Sequence, residues 1–523
     1  MRNMLIPFTL VVLSLPQTAT LTVSAAIPIQ KEVWVAFRTD NPVNPLGTLS
    51  DPYDGSTQVK FDLLMSNFVA NTTIHLLPGT YETLGGQGFD STRPSWQMKT
   101  GQKIAGSGVD ITILKLVGVS NYIYQPTINS PTTGCESMEV RDLTIDCNYH
   151  SGLVATLHGI NLYGKGDAIR RVKVLNATST YCPNPTNDCR ESFVLGLWGS
   201  PNMPSEGNVI EECEVSQCHG TFTVTAFVLN AGGLATEWVS GIMRNNRVIN
   251  SPDASYIIGF NHGQGRDILV TGNYTDGAQT GFYADTGHYT NAICSFNVFK
   301  DAVAGVMFNF GSNFSAANYS CIYNHIELQP DFQSPLGYHA VGIGAYVSVG
   351  VSGLTFIGNT IQYNGGLPGT NAAAVEFGNA TGVLFANNVI DTNLWVAFPS
   401  STNVNFFNNR DFAANPLLPF GTVPMSIEPA NGTARRKMTS PGNILLSDRY
   451  VGVAVGTSST FILPSAVGCA GKDFVIVEEA GSGAKITIVP PSGQTINGAN
   501  FVTITTAYGS KSFISNGANW FAW

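Results

Sequence analysis

Apolar residues along this chain come in short runs of strand length, and from Arg244 to Asp411 an asparagine follows each run at nearly even spacing. Asn246, Asn273, Asn297, Asn324, Asn359, Asn388 and Asn409 fill that slot, behind runs such as Ile268-Leu269-Val270, Leu354-Thr355-Phe356-Ile357 and Val383-Leu384-Phe385. A recurrence every 20 to 50 residues or so marks stacked repeats. The runs are rich in Val, Ile and Phe, are broken by Gly and Asn, and lack the period of an amphipathic helix, so the repeating unit is a coil of short strands. The pattern predicts a parallel β-helix. One asparagine at the same turn of every coil would stack on the next at strand spacing, roughly 4.8 Å, each amide bonding its neighbour. Leu143, Val172 and Cys213 hold the same slot in earlier coils, which makes about ten coils, with residues 135–412 stacked in one register.

The flanks read differently. Ser56 to Asn67 sets Val59, Leu63 and Phe61, Leu64, Phe68 at helical spacing, an amphipathic helix expected to cap the open end of the solenoid. Residues 415–442 hold Pro416, Pro419, Pro424, Pro429 and Pro441 without a strand pattern and read as a linker. Beyond it, Phe474-Val475-Ile476-Val477, Lys485-Ile486-Thr487-Ile488-Val489 and Val502-Thr503-Ile504 alternate again, predicting a small antiparallel β domain over residues 443–523. Trp520 and Trp523 are there either sugar-binding residues or core aromatics.

Composition narrows the function classes. Only 12% of the 523 residues are charged and 55 are Gly, which fits a β-rich protein and excludes a coiled coil or a disordered chain. With a net charge of −9 and no basic run longer than Arg435-Arg436-Lys437, nucleic acid is not an expected partner. Arg2, the apolar run Leu5 to Leu15 and the small residues ending at Ala26 read as a secretory signal peptide over residues 1–26. The mature chain is then expected outside the cytoplasm, with no membrane span. Cys182 and Cys189 bracket a loop that a disulfide could close. Cys294 and Cys321 each precede a ladder asparagine by three residues and should stack, either bonded or as free thiols, and Cys469 is left over. Cys213 and Cys218 lack the second ligand pair of a zinc site.

The capping helix, then Ile74-His75-Leu76-Leu77-Pro78-Gly79-Thr80-Tyr81, then the Gly-rich Gly101 to Gly108, resemble the first coils of the pectate-lyase-like right-handed parallel β-helix superfamily. The resemblance covers residues 31–412. It implies the solenoid, with residues 27–414 as one domain, and leaves the activity open among lyases, hydrolases, epimerases, esterases and non-catalytic adhesins. The C-terminal stretch is similar to small modules appended to phage tail proteins and secreted bacterial β-helix proteins. Polygalacturonase-like members carry an Asp-Asp pair, and no two aspartates are adjacent here. Calcium-dependent pectate lyases cluster acidic ligands, and the sparse carboxylates here support neither calcium nor another cofactor.

Side chains on a strand alternate between the interior and the outer face. Aligning the strand after each ladder slot puts Ile160, Leu162, Phe282, Val306, Phe308, Val375 and Phe377 inside. Asn161, Tyr163, Trp198, Asn261, Tyr283, Asp285, Asn309, Glu376 and Trp395 then face outward, an amide and aromatic row suited to a polysaccharide. In the middle coils, Asn261 to Asp267 and Tyr283 to His288 gather acid–base groups. Abstraction of the proton beside a uronate carboxylate needs a cation, a base and an acid. Arg266 is the candidate cation, His288 or His262 the base, Tyr283 the acid, and Asp285 the group that orients an imidazole. The leading expectation is a polysaccharide lyase or uronate epimerase. A hydrolase is the alternative, although it needs two carboxyls roughly 5 to 9.5 Å apart and Asp285 lacks an obvious partner, Glu376 being three rungs away. A non-catalytic glycan-binding protein is the third reading.

Overall fold

The computed structural model describes residues 31–40, 42–86, 95–181, 191–230, 239–249, 251, 253–263, 265–284, 288–308, 315–329, 341–345, 351–364, 373–377, 380–391, 394–397, 402–413, 435–445, 448, 450–467, 469 and 472–523. The alternating runs become strands that pair with their counterparts one coil on. Val298–Ala302, for instance, lies parallel between Tyr274–Asp276 and His325–Leu328. Two sheets line the solenoid, one of 26 strands and one of 12. Along the smaller sheet a single core row runs through Ile128, Ile160, Leu195, Phe227, Phe260, Phe282, Val306, Ile343, Val375 and Val396. These ten positions are one per coil and all are buried. Like sits on like, as parallel pairing in register requires, and the Phe227 and Phe260 rings stack 4.9 Å apart. The fold is a parallel β-helix.

The asparagine ladder closes one corner. In each coil the backbone N–H and the side-chain Nδ2 of one asparagine both donate to Oδ1 of the next, from Asn246 to Asn273, Asn297, Asn324, Asn359, Asn388 and Asn409. The second Nδ2 hydrogen reaches a main-chain carbonyl, as from Asn273 to Met243 O at 2.9 Å. All seven side chains are buried, and this pairing removes the desolvation cost of an unpaired amide. One coil earlier Cys213 stands in the slot, and its Sγ accepts from Val172 N.

Glycine sets how tightly the coil walls approach. A Cβ at Gly305 would lie 2.5 Å from Ile326, and one at Gly281 would collide with Phe299. The apolar strand across the core therefore packs directly on the glycine backbone.

Several expectations are corrected at the ends. The first helix runs Gln58–Asn67, capped by Thr57, and buries Phe61 and Met65, whereas Val59 and Leu63 are 69% and 61% exposed. Its buried stripe is therefore the one carrying Phe61, four residues from Met65, which packs on Tyr81 and Trp96. The C-terminal unit is not purely antiparallel. Arg435–Met438, Tyr450–Val453 and Asp473–Glu478 pair parallel, as do Gly442–Asn443, Ser459–Ile462 and Ile486–Val489, and only the pairings involving Val502–Ile504, Ser510–Ser515 and Trp520–Ala522 are antiparallel. It begins as a second small two-sheeted coil, and its first strand falls inside the stretch expected to be linker. Trp520 is fully buried there against Phe474, while Trp523 is exposed.

Cys294 and Cys321 are register partners, both buried free thiols, as are Cys135, Cys147, Cys213 and Cys218, while Cys469 is a half-buried free thiol. Stacking without a bond is the outcome there, and burial followed by the neighbouring Cys294 pushes the Cys321 thiol far up. Cys182, Cys189 and the expected signal peptide lie outside the described residues. No helix among the described residues is long and apolar enough to cross a membrane.

Candidate functional site

The outward row of the smaller sheet follows from the core row by alternation. It runs through Asn129, Asn161, Gly196, Val228, Asn261, Tyr283, Met307, Gly344, Glu376 and Ala397. In the early coils it carries Asn129 and Asn161, 6% and 7% exposed, with the half-buried Tyr163 and Trp198 at the next outward position. Trp198 Nε1 donates to Asn161 Oδ1 at 2.9 Å, and Asn161 Nδ2 donates to the Phe193 carbonyl. The indole lies across Gly196, where a Cβ would meet both Trp198 Nε1 and Asn161 Oδ1. Tyr163 stands beside it with rings 6.2 Å apart and 24° from parallel, and its burial raises the phenol to about 12. Asn161, Tyr163 and Trp198 are thus brought together.

The middle coils are unlike the expectation of an open polar groove. Val228 is fully buried on this face, Asn261 is 4% exposed, and Ala304, Met307, Val341 and Ala373 form an apolar cluster of their own, with Tyr283 packed partly against it. Alternation tells which residues face outward but not whether that face meets water, because cover comes from elsewhere in the chain. Asn261 and Tyr283 are register partners, Glu376 lies three rungs beyond Tyr283, and the Trp395 position falls beside Ala373 in a different row.

The acid–base set expected around Tyr283 is dispersed. His262 is buried in a second inward row, two residues on from Phe260, between Leu229 and Ala284 in register. Its ring nitrogens meet Gly263 O at 2.8 Å and Tyr319 Oη at 2.9 Å, and burial lowers its pKa to about 4. It is a neutral structural imidazole and touches no groove. Arg266 belongs to the larger sheet, past the corner of the coil, where it pairs with Glu206 at 3.3 Å. The His288 position lies on the same sheet, on a strand whose Thr290 is the register partner of Arg266. Asp285 and Asn309 lie outside the described residues. One corner of the coil, between the two sheets, separates what a linear alignment places side by side.

A different set of titratable side chains does converge, on the larger sheet where Arg247–Ile249, Tyr274–Asp276, Val298–Ala302 and His325–Leu328 stack. Arg247 and Lys300 lie 5.7 and 6.0 Å from the Tyr274 ring centre, Tyr274 Oη donates to Asp276 at 2.9 Å, and His325 Nε2 meets Glu327 Oε1 at 2.8 Å. The signal in the sequence was the slot just after each ladder asparagine, where Arg247, Tyr274, Val298 and His325 follow one another. Among the described residues no three His, Cys, Asp or Glu side chains are grouped to hold a metal ion.

No family model matches the sequence, and no curated protein does either. Solved structures with a similar chain path include the A-module of mannuronan C-5 epimerase AlgE4 from Azotobacter vinelandii, at 14% identity over 68% of this chain and 90% of that one, TM-score 0.41. DFA-IIIase from Arthrobacter chlorophenolicus A6 is similar at 12% identity over 73% and 88%, TM-score 0.40. The surface adhesin PfbA of Streptococcus pneumoniae is similar at 8% identity over 89% and 93%, TM-score 0.39. These likenesses transfer no residue roles to this chain.

Proposed function

We propose that this is a polysaccharide-active β-helix protein that holds a glycan on the outward face of its early coils, with Asn161, Tyr163 and Trp198 as sugar-binding residues. The observation that supports it is the Trp198 indole, laid across Gly196 and anchored through Nε1 to Asn161 Oδ1. A fixed flat apolar ring with an amide at its edge matches a sugar ring, which offers C–H groups on its face and hydroxyls around its rim. Of the reactions, proton abstraction as in a lyase or epimerase is favoured over hydrolysis. Among the described residues the row carries only one carboxylate, Glu376, against the two that hydrolysis needs.

The test is a polysaccharide panel read for binding, for ultraviolet absorbance of unsaturated products, for new reducing ends and for inverted uronate configuration. Trp198→Ala should weaken binding of the identified glycan about tenfold or more. Reducing ends without absorbance would turn the reading to a hydrolase, and binding with no product of any kind to a glycan-binding protein.

A further inference from the structure

We propose that the face built from Tyr274, Lys300 and His325, with Arg247 and Glu327, is an acid–base centre for uronate-containing glycans, distinct from the Trp198 surface. The proposal rests on the polysaccharide reading for its ligand class and on separate residues for its chemistry.

Geometry is the first argument. Tyr274, Val298 and His325 are successive register partners, so the phenol and the imidazole stand two strand spacings apart, about 10 Å, over a floor made by Val298. That leaves a slot one rung wide between an acid and a base. Lys300, two residues on from Val298 on the same strand, lines the slot, and Arg247 flanks Tyr274 from the rung before.

Charge is the second. Arg38, Arg141, Arg170, Arg171, Arg244 and Arg266 all pair with carboxylates. Among the described residues neither Arg247 nor Lys300 has a carboxylate within ion-pair distance, and both converge on Tyr274 instead. Of the three nearby acids, Glu214 is the register partner of Arg247 on the rung before, Asp276 is engaged by the Tyr274 hydroxyl, and Glu327 by His325 and by Asn364 Nδ2 at 3.2 Å. In a chain of net charge −9, two cations without carboxylate partners beside one phenol form a local site for an anion.

The groups are also held in suitable states. Burial, and then the bond to Asp276, raises the Tyr274 phenol, so it stays protonated and serves as the acid. Burial raises Glu327, but its bonds to His325 and Asn364 outweigh that and hold it below the usual carboxylate range, so it stays ionised and fixes the imidazole with Nε2 toward it. The other ring nitrogen then carries the lone pair.

The step follows. With the uronate carboxylate at Lys300, and Arg247 adding positive charge from behind the phenol, His325 takes the proton from the carbon that bears the carboxylate. The C–H electron pair forms a double bond to the adjacent ring carbon, the bond from that carbon to the glycosidic oxygen breaks, and the leaving oxygen takes the Tyr274 proton. Exchange with solvent then restores the neutral imidazole and the phenol.

The experiment uses the full chain on alginate, polygalacturonate and polyglucuronate, following absorbance of the unsaturated uronate. Wild type should act on at least one of them. Tyr274→Phe and His325→Gln should each lower kcat about a hundredfold with KM within a few-fold of wild type, whereas Lys300→Ala and Arg247→Ala should raise KM. Thermal melts confirm that each variant is folded. Full activity in both Tyr274→Phe and His325→Gln overturns this centre while leaving the polysaccharide reading intact. Uronate binding without any unsaturated product overturns the elimination step. If no polysaccharide in the wider panel binds or reacts, both readings fall together.

Discussion

Asn273 donates twice to Asn297 Oδ1, from its backbone N–H and from its own Nδ2, each at 3.0 Å. One acceptor therefore serves two buried donors, and removing it affects two coils. Asn297→Ala should cost about 3 kcal/mol, since it leaves a buried N–H unpaired, and should lower the denaturant midpoint with little change in m. A loss below about 0.5 kcal/mol would show that water or a local shift replaces the ladder.

Asp167 occupies a ladder-like position at another corner, accepting from Met138 N through Oδ1 while its own N–H donates to Asn208 Oδ1. Asn208 uses its Nδ2 on the Gly164 carbonyl, but Asp167 has no such donor when ionised, and its Oδ2 is buried without a partner. Burial lifts its pKa to about 7, against the Met138 bond and with a small push from Glu136. The native state then keeps a proton that the unfolded chain releases between about pH 4 and 7, so this group's contribution to stability falls as pH rises through that window. Asp167→Asn should raise Tm at pH 8 and lose that advantage near pH 4. An equal gain at both pH values would sink the assignment.

His262 works in the opposite direction. Its folded pKa of about 4 lies below the ordinary value near 6.5. The unfolded chain therefore binds a proton first, and stability is lost as pH falls from about 6.5 toward 4. His262→Ala should cost about 2 to 4 kcal/mol through the cavity and the lost bond to the Tyr319 hydroxyl, and should flatten this part of the pH–stability curve. A variant as stable as wild type, with the curve unchanged, would argue against a structural imidazole.

Gly305→Ala tests the approach of the two walls. Its Cβ would lie 2.5 Å from Ile326 and 2.6 Å from the Gly342 carbonyl, so about 1 to 3 kcal/mol of overpacking is expected. Ile326→Val in the same chain should recover part of it, measurable by a double-mutant cycle.

The C-terminal unit has its own buried cluster, with Val451, Phe461, Phe474, Ile488, Phe513 and Trp520. A chain ending before Arg435 should therefore still melt cooperatively. Insolubility of that truncation would make the unit part of the solenoid's folding.

The sequence by itself determined the solenoid, its register and its ladder, because these follow from periodicity. A repeat that stacks must place Asn273 on Asn297 and Phe260 on Phe282, and strand alternation then sorts inside from outside. It also determined that Asn161, Tyr163 and Trp198 meet, since they sit on adjacent rungs of one strand position. Only the tertiary structure decided where each coil turns its corners, and that choice sent Arg266 and the His288 position to another sheet and His262 into the core. Two or three residues between strands suffice to change the face, and neither residue type nor spacing announces it. Cover was equally invisible, since Val228 and Met307 face outward yet are buried. The stacking of Tyr274 and His325 across Val298 was legible in the slot after each ladder asparagine, but that Lys300 and Arg247 turn their charges onto the Tyr274 ring was decided by the tertiary structure.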